Sequence, residues 1–132
     1  SAHHVGVHWR VNSDVICRSG TAELTRDAAK ALREVIALLK EYNLFLVVRG
    51  HADPGEARPP YPSNWELSGA RAAAVLRHIV EHGKIKATRL RAIAYGDTRP
   101  VEPGFDETSK AKNRRVEFHF HRPEVMSYSV VY

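Results

Sequence analysis

One acidic residue of this sequence stands where sheet proteins tend to bind ligands. Asp53 ends the string Gly50-His51-Ala52-Asp53, which directly follows a short apolar run. The carboxyl end of a strand in a helix-flanked sheet is a frequent ligand site, and a carboxylate there can accept hydrogen bonds from an ammonium group. The ordinary alternative is that Asp53 only satisfies backbone groups of a turn, where aspartate is common.

An arginine on the following helix supplies the opposite charge. Asn64, Ser68 and Arg71 are spaced i, i+4 and i+7, so they lie within about 60° of one another around an α-helix. This stripe borders the apolar face of the helix, which leaves Arg71 half-shielded and suits its guanidinium to a carboxylate. The alternative is that Arg71 is a solvated charge in a surface ion pair of little energetic value.

Asp53 and Arg71 are expected to flank one crevice, because the start of the helix folds back past the end of the strand. Such a pair suits a zwitterion, since Asp53 can accept an ammonium while Arg71 binds a carboxylate of the same molecule. Neither side chain is expected in the main core. Asn113-Arg114-Arg115 at the start of the last strand is a third candidate, although a salt-bridged strand start is its ordinary role.

The elements that hold these residues follow from hydrophobic periodicity. Strict alternation from Val5 to Val11 predicts a half-buried strand, and the apolar run at residues 44–48 predicts a central strand. Further elements are predicted as a helix from the cap Thr25 to about residue 42, a helix at residues 63–82 closed by Gly83, and strands at residues 90–95 and 116–120. The order β-α-β-α-β-β predicts an α+β fold whose two helices cover one face of a mixed sheet.

Length and composition predict a single globular domain over residues 1–132. Within it, residues 1–4 are interpreted as a cloning remnant or the cut end of a longer protein, and residues 124–132 as an extra edge strand or a tail. No apolar run approaches the roughly 18 residues of a membrane-spanning helix. The single cysteine, Cys17, excludes an internal disulfide, and no Cys/His spacing indicates a zinc site.

Two other classes of function are alternatives to ligand binding by Asp53 and Arg71. A net charge of +5 favours anionic partners, but the basic residues are spread over a helix end, a strand and a loop without an aromatic platform, so no nucleic acid is expected. These basic residues are Lys84, Lys86, Arg89, Arg91, Arg114 and Arg115. A metal-dependent hydrolase would need His51 with Asp53, or His78 with His82, but the helix lacks the H-E-x-x-H order and a general base. We therefore expect no metal, no cofactor and no enzymatic activity.

Four strings in order resemble the OmpA/MotB family of peptidoglycan-binding domains over about residues 15–120. They are GHAD, YPSNWELSGARA, YGDTRP and AKNRRVEF. The Pro-rich loop at residues 54–62 and the string PSNWELS are most similar to the MotB branch of that family, whose members are flagellar stator subunits. The sequence departs from the family at residues 17–20, where Cys-Arg-Ser-Gly replaces a serine-rich turn.

The resemblance implies a fold like the OmpA C-terminal domain and a non-enzymatic site for the diaminopimelate of a peptidoglycan stem peptide. It assigns the ligand ammonium to Asp53, the ligand carboxylate to Arg71, and supporting contacts to Asn64 and Arg114. It gives His51 a structural role in orienting the turn.

The family also implies what the parent protein does. It would anchor a membrane protein, a motor stator in motility and chemotaxis, to the cell wall from the periplasm, with the parent held in the inner membrane. A homodimer and a stator channel subunit bound through a missing N-terminal region are the implied partners. A Pal- or OmpA-type outer-membrane anchor is the alternative.

Overall fold

The computed structural model describes residues 7–123, which form a four-stranded sheet with helices packed on one face. Along the chain the elements are β1 (Val7–Asn12), α1 (Ser13–Ile16), α2 (Arg26–Glu41), β2 (Phe45–His51), α3 (Asn64–Gly83), a 3-10 turn (Ala87–Arg89), β3 (Leu90–Ala94), α4 (Glu107–Asn113) and β4 (Arg115–His121). The predicted order β-α-β-α-β-β is confirmed, with the short helices α1 and α4 added to it. Val5 and the predicted edge strand or tail at residues 124–132 lie outside the described residues.

The sheet is mixed, and its order places the end of β2 beside the start of β4. The strands lie in the order β1-β4-β2-β3. β4 is antiparallel to β1 and to β2, whereas β2 and β3 are parallel and joined through α3. Because His51 pairs with Arg115 in the antiparallel register, Asp53 and Arg114 emerge at the same edge of the sheet.

The core lies between one face of the sheet and the two long helices. Alternate residues of β2 and β4 point to this face, and Val48 and Phe118 among them are at most 1% exposed. α2 contributes Leu32 and α3 contributes Val75 to the same cluster. The predicted coverage of one sheet face by two helices is therefore confirmed.

The helix starts are formed as the capping patterns predict. The Thr25 hydroxyl accepts a hydrogen bond from the Ala28 amide at 3.0 Å. The Ser63 hydroxyl accepts from the Trp65 amide and donates to the Glu66 carboxylate. The hydrogen bonds from the Ala28 and Trp65 amides satisfy groups that the first helical turn leaves without partners.

The prediction that Gly83 follows the second helix is wrong. Gly83 is the last residue of α3, and the left-handed residue after it is Lys84 with φ +53°. Glycine is required at position 83 because a Cβ there would lie 2.9 Å from the Ile36 side chain. Close packing of α3 on α2 thus explains this glycine, rather than the backbone conformation that ends a helix.

The predicted loop at residues 96–109 runs into α4, which the sequence did not indicate. Glu107–Asn113 is polar and only seven residues long, so it carries no apolar period. Within residues 7–123, no helix combines the length and the apolar character needed to cross a bilayer.

Candidate ligand-binding site

Asp53 lies directly after β2 and is held by an arginine from the start of β4. Its side chain is buried, and Arg114 Nη1 donates to Asp53 Oδ2 at 2.8 Å. The same guanidinium donates to Glu107 on α4 at 3.2 Å and approaches Asp14 on α1 at 3.6 Å. Burial would lower the pKa of Arg114, but the bond to Asp53 and the other carboxylates outweigh burial and raise this pKa. Arg114 therefore joins three segments around Asp53.

Asn64, the first residue of α3, holds the backbone of the Pro-rich loop. Its Nδ2 donates to the Asp53 carbonyl at 3.0 Å, and its Oδ1 accepts from the Ala57 amide at 3.0 Å. Both ends of the amide are used, so Asn64 fixes the loop on either side of residues 54–56. The resemblance assigns Asn64 a supporting contact with the ligand; in the structure its side-chain amide is engaged with the backbone of the loop.

Arg71 is fully buried, and the expectation of a half-shielded side chain outside the core is wrong. Its exposure is 0%. Its Nε donates to the Thr21 carbonyl at 3.0 Å, and its Nη1 approaches the Ser13 hydroxyl at 3.4 Å. The segment between β1 and α2 therefore covers the arginine, which the helical spacing on α3 did not indicate.

Glu56 is the counter-ion of Arg71, and the sequence patterns did not identify it. Its Oε2 lies 2.6 Å from Arg71 Nη1, and its side chain is only 9% exposed. Burial raises the pKa of the Glu56 carboxyl, an effect that Arg71 partly opposes. The available signal was indirect: a buried arginine requires a nearby carboxylate, and Glu56 is the acidic residue of the adjoining loop.

An open crevice of about 580 Å³ adjoins these ion pairs. Asp53, Glu56 and Arg114 line it, together with Arg58 and Lys110. Arg71 does not belong to this lining and contacts the crevice through Glu56. The structure therefore brings Asp53, Arg114 and Arg71 to one place, with Glu56 between Arg71 and the open space.

His51 is structural, but not through hydrogen bonds to the turn. It is 2% exposed and its ring stacks on Tyr95 with centroids 5.0 Å apart. Within the described part of the chain, neither ring nitrogen has a hydrogen-bond partner; Nε2 approaches Glu117 at 3.6 Å. Burial lowers the pKa of His51, so packing, rather than turn geometry, explains this histidine.

Some of the basic residues that would favour nucleic-acid binding are engaged in contacts within the fold. Arg89 donates to the carbonyls of Leu39, Tyr42 and Leu44, and Arg115 is paired with Glu117 at 2.7 Å. Arg114 is paired with Asp53. Three of the six basic residues that could favour nucleic-acid binding therefore make contacts within the fold. Across residues 7–123, no group of three or more His, Cys, Asp or Glu side chains is arranged to hold a metal ion.

The fold and the crevice define a small α+β domain with charges of both signs at one edge of its sheet. The sequence profile of the OmpA family matches residues 18–114. The chain belongs to the OmpA family, as the four strings in its sequence indicated.

Curated relatives include an uncharacterized protein, a peptidoglycan-associated lipoprotein and a motility protein. The chain is 34% identical over 113 residues to the uncharacterized protein YtxE of Bacillus subtilis, covering 85% of the chain and 47% of that protein. It is 37% identical over 97 residues to the peptidoglycan-associated lipoprotein of Pseudomonas aeruginosa, covering 74% of the chain and 55% of the relative. Motility protein B of Bacillus subtilis is 27% identical over 116 residues, covering 85% of the chain and 44% of that protein. The chain thus spans about half the length of these relatives.

Solved structures share the fold over most of the chain. A putative MotB-like protein from Desulfovibrio vulgaris has a TM-score of 0.82 at 28% identity, covering 89% of this chain and 74% of that one. The cell wall anchor of the T6SS from Pseudomonas aeruginosa has a TM-score of 0.81 at 29% identity, with 88% and 81% covered. The periplasmic domain of Helicobacter pylori MotB has a TM-score of 0.78, with 92% and 86% covered, and at 21% identity this likeness shows the fold alone.

Proposed function

We propose that this domain binds peptidoglycan non-covalently and anchors its parent protein to the cell wall. Membership of the OmpA family supports this proposal. The proposal is also supported by a relative described as a peptidoglycan-associated lipoprotein and by a structural neighbour described as a cell wall anchor. The function belongs outside the cytoplasm, in the periplasm, where the wall is accessible.

The proposed ligand group is the free end of diaminopimelate, which carries an ammonium and a carboxylate on one carbon. Asp53 would accept the ammonium, and Arg71 would bind the carboxylate. Arg114 would hold Asp53 in place, and Asn64 would hold the loop that carries it. A zwitterion suits the site because the buried carboxylate of Asp53 lines the crevice, and the buried guanidinium of Arg71 lies behind Glu56 at its edge.

The observation that carries this proposal is the carboxylate already bound to Arg71. Glu56 Oε2 lies 2.6 Å from Arg71 Nη1, so the guanidinium is oriented to receive a carboxylate from the crevice side. Arg71 Nη2 is buried and, among the described residues, has no hydrogen-bond partner. A planar guanidinium binds carboxylates best with two parallel hydrogen bonds, and this second donor is available.

The site acts by binding and not by catalysis. Asp53 and Glu56 are each held in an ion pair with an arginine, so neither carboxyl group is positioned as a general acid for a bound ligand. Catalysis of bond cleavage would require a general base or an activated nucleophile at the ligand. Charges held in fixed ion pairs suit recognition of a charged group instead.

For the parent protein, we propose a stator subunit of the MotB type, anchored in the inner membrane. Likeness to motility protein B and to a MotB-like structure supports this role. A stator subunit would form a homodimer and would bind a channel subunit through segments outside this sequence. The 37% identity to a peptidoglycan-associated lipoprotein supports the Pal- or OmpA-type alternative. The parent's sequence before Ser1 distinguishes them, because a stator requires a membrane helix carrying an aspartate there.

Co-sedimentation with purified sacculi tests the binding site. Asp53→Asn and Arg71→Lys keep the size of each side chain while removing a charge or the two-pronged geometry. We expect both to lose binding, since truncating one partner of a buried charge contact costs about 2–5 kcal/mol. Lys84→Ala and Arg91→Ala remove exposed charge elsewhere and should bind normally. Equal loss in these controls would show that bulk charge, not the crevice, holds the domain to the wall.

A further inference from the structure

Glu56 occupies the position on Arg71 where the ligand carboxylate is proposed to bind. Its Oε2 lies 2.6 Å from Arg71 Nη1, while Oε1 faces the Asp53 amide at 3.4 Å. Glu56 lines the crevice and Arg71 does not. A carboxylate arriving from the crevice therefore meets Glu56 before it can reach the arginine.

Arg71 cannot be left without a counter-ion while the ligand enters. The side chain is 0% exposed, and an uncompensated charge at such a depth is strongly unfavourable. An exchange of one carboxylate for another keeps Arg71 paired before and after binding. Glu56 is suited to leave, because burial disfavours its ionised form and raises the pKa of its carboxyl.

We infer that Glu56 is an internal competitor for the ligand carboxylate and a determinant of ligand specificity. The inference rests on the proposed function. Diaminopimelate would displace Glu56 from Arg71 with its own carboxylate. A lysine side chain, which offers only an ammonium, would reach Asp53 but could not release Glu56. Glu56 therefore strengthens the selection against ligands that lack the second carboxylate.

The displacement needs only a short segment of the loop to move. Asn64 fixes the Asp53 carbonyl and the Ala57 amide on either side of residues 54–56. Inside this span, Glu56 is held by three contacts. Its side chain contacts Arg71, its backbone N–H donates a hydrogen bond to the Asp53 carbonyl at 3.2 Å, and its Oε1 makes the long contact with the Asp53 amide. The loop ends can thus stay in place while Glu56 turns into the crevice.

Calorimetry with two stem tripeptides tests the inference. The tripeptides differ only in the third residue, which is meso-diaminopimelate in one and L-lysine in the other. Glu56→Gln keeps the shape of the side chain but replaces a charge-assisted contact with a weaker neutral one. We expect the variant to bind the diaminopimelate tripeptide about fivefold more tightly or better, with no gain for the lysine tripeptide. The exposed Glu81→Gln makes the same change of net charge far along α3 and should match the wild type.

The outcomes separate this inference from the proposed function. If the wild type binds the diaminopimelate tripeptide and Asp53→Asn does not, the proposed function stands. Affinity of Glu56→Gln equal to or below that of Glu81→Gln would then overturn the competitor role alone. If neither the wild type nor Glu56→Gln binds, both proposals fail together.

A second measurement does not depend on the stability of a variant. The ¹³C signal of the Glu56 side-chain carboxyl can be assigned in the wild type by through-bond correlation to the Glu56 backbone amide. Saturation of the wild type with the diaminopimelate tripeptide should move this signal to the position of a solvated glutamate that titrates in its ordinary range. A signal that keeps its free-state position in the complex would contradict displacement.

Discussion

At the scale of single residues, the site is built from buried ion pairs between carboxylates and arginines. Arg71 pairs with Glu56 at 2.6 Å, and Arg114 pairs with Asp53 at 2.8 Å. Buried pairs of this kind contribute little net stability, but losing one partner is costly because the other charge remains in the interior. A substitution at one of these residues is therefore expected to change both ligand binding and the free energy of unfolding, so the two effects must be measured separately.

Arg71→Ala is expected to destabilise the fold as well as abolish binding. The substitution removes a fully buried side chain and leaves Glu56 without its counter-ion, which typically costs about 3–5 kcal/mol. Urea denaturation should show this loss in the free energy of unfolding, and the double variant Arg71→Ala/Glu56→Ala should recover part of it. The exposed Arg91→Ala is the matched control. Equal stability of Arg71→Ala and Arg91→Ala would mean that the arginine is not buried as described.

Asp53, Arg71 and Arg114 could be selected from the sequence, but Glu56 and the pairing of these charges could not. Helical spacing predicts Arg71 near the apolar face of α3. The apolar run at residues 44–48 predicts Asp53 at the end of a strand. Contact between Asp53 and Arg114 depends on β4 lying beside β2, and local patterns do not determine strand order. Glu56 sits in a Pro-rich loop without periodicity, so only the need to neutralise a buried arginine pointed to it.

At the scale of elements, the close approach of β2 and α3 sets the geometry of the site. Both Asp53 and Arg71 depend on it, since one follows β2 and the other lies on α3. At Gly50 an added Cβ would lie 2.1 Å from the Ser68 carbonyl oxygen. This atom belongs to helix backbone and cannot move aside as a side chain could.

Gly50→Ala is therefore expected to lower the free energy of unfolding by about 3 kcal/mol, at the upper end of overpacking effects. Gly20→Ala serves as the control, because a Cβ at residue 20 would meet no atom within 4 Å and only the φ of +72° opposes alanine there. The control should lose about 1 kcal/mol. Thermal or urea denaturation measures both, and a Gly50→Ala protein as stable as Gly20→Ala would refute the close approach.

The long helices and the inner strand were predicted from sequence more fully than the short elements. Repeating apolar positions and capping residues marked α2 and α3, and a continuous apolar run marked β2. α4 was missed because its seven residues are polar, and its place is set by contacts such as the hydrogen bond from Arg114 to Glu107. Gly83 was misassigned because packing against Ile36 and a helix end both favour glycine.

A carboxylate on β4 links three strands and should make the fold sensitive to acid. Arg115 and His119 contact Glu117 at 2.7 and 2.8 Å, and Arg10 and His51 approach it from β1 and β2 at 3.8 and 3.6 Å. Burial alone would raise the pKa of Glu117, but these cationic and imidazole partners outweigh it and hold the pKa well below its usual range. The stability that this carboxylate contributes is present above its unfolded-state pKa and is lost as the pH falls toward the folded-state value.

The free energy of unfolding should therefore decline as the pH is lowered from about 7 toward about 3. His51 adds to the decline below about pH 6.5, because burial lowers its pKa and the unfolded chain takes up its proton more readily. Urea denaturation across this range should show a smaller decline below about pH 5 for Glu117→Gln than for the wild type. The exposed Glu81→Gln should follow the wild type. Parallel curves for all three proteins would contradict the role assigned to Glu117.

At the scale of the whole molecule, two explanations of wall binding must be separated. The chain carries a net charge of +5, and peptidoglycan bears carboxylates, so a general attraction screened by salt is one explanation. The other is recognition of one zwitterionic group at the crevice. Only the second depends on the chemistry of a single ligand residue, and it predicts discrimination between ligands of similar size.

The most direct measurement is the affinity of the wild-type domain for the two stem tripeptides that differ in their third residue. At the end of the third side chain, the diaminopimelate tripeptide offers the ammonium to Asp53 and the carboxylate to Arg71, whereas the L-lysine tripeptide offers the ammonium alone. Because a missing partner for a buried charge costs about 2–5 kcal/mol, calorimetry should show binding of the first and at least about tenfold weaker binding of the second. Equal affinity for the two tripeptides would contradict recognition of the zwitterion by this site.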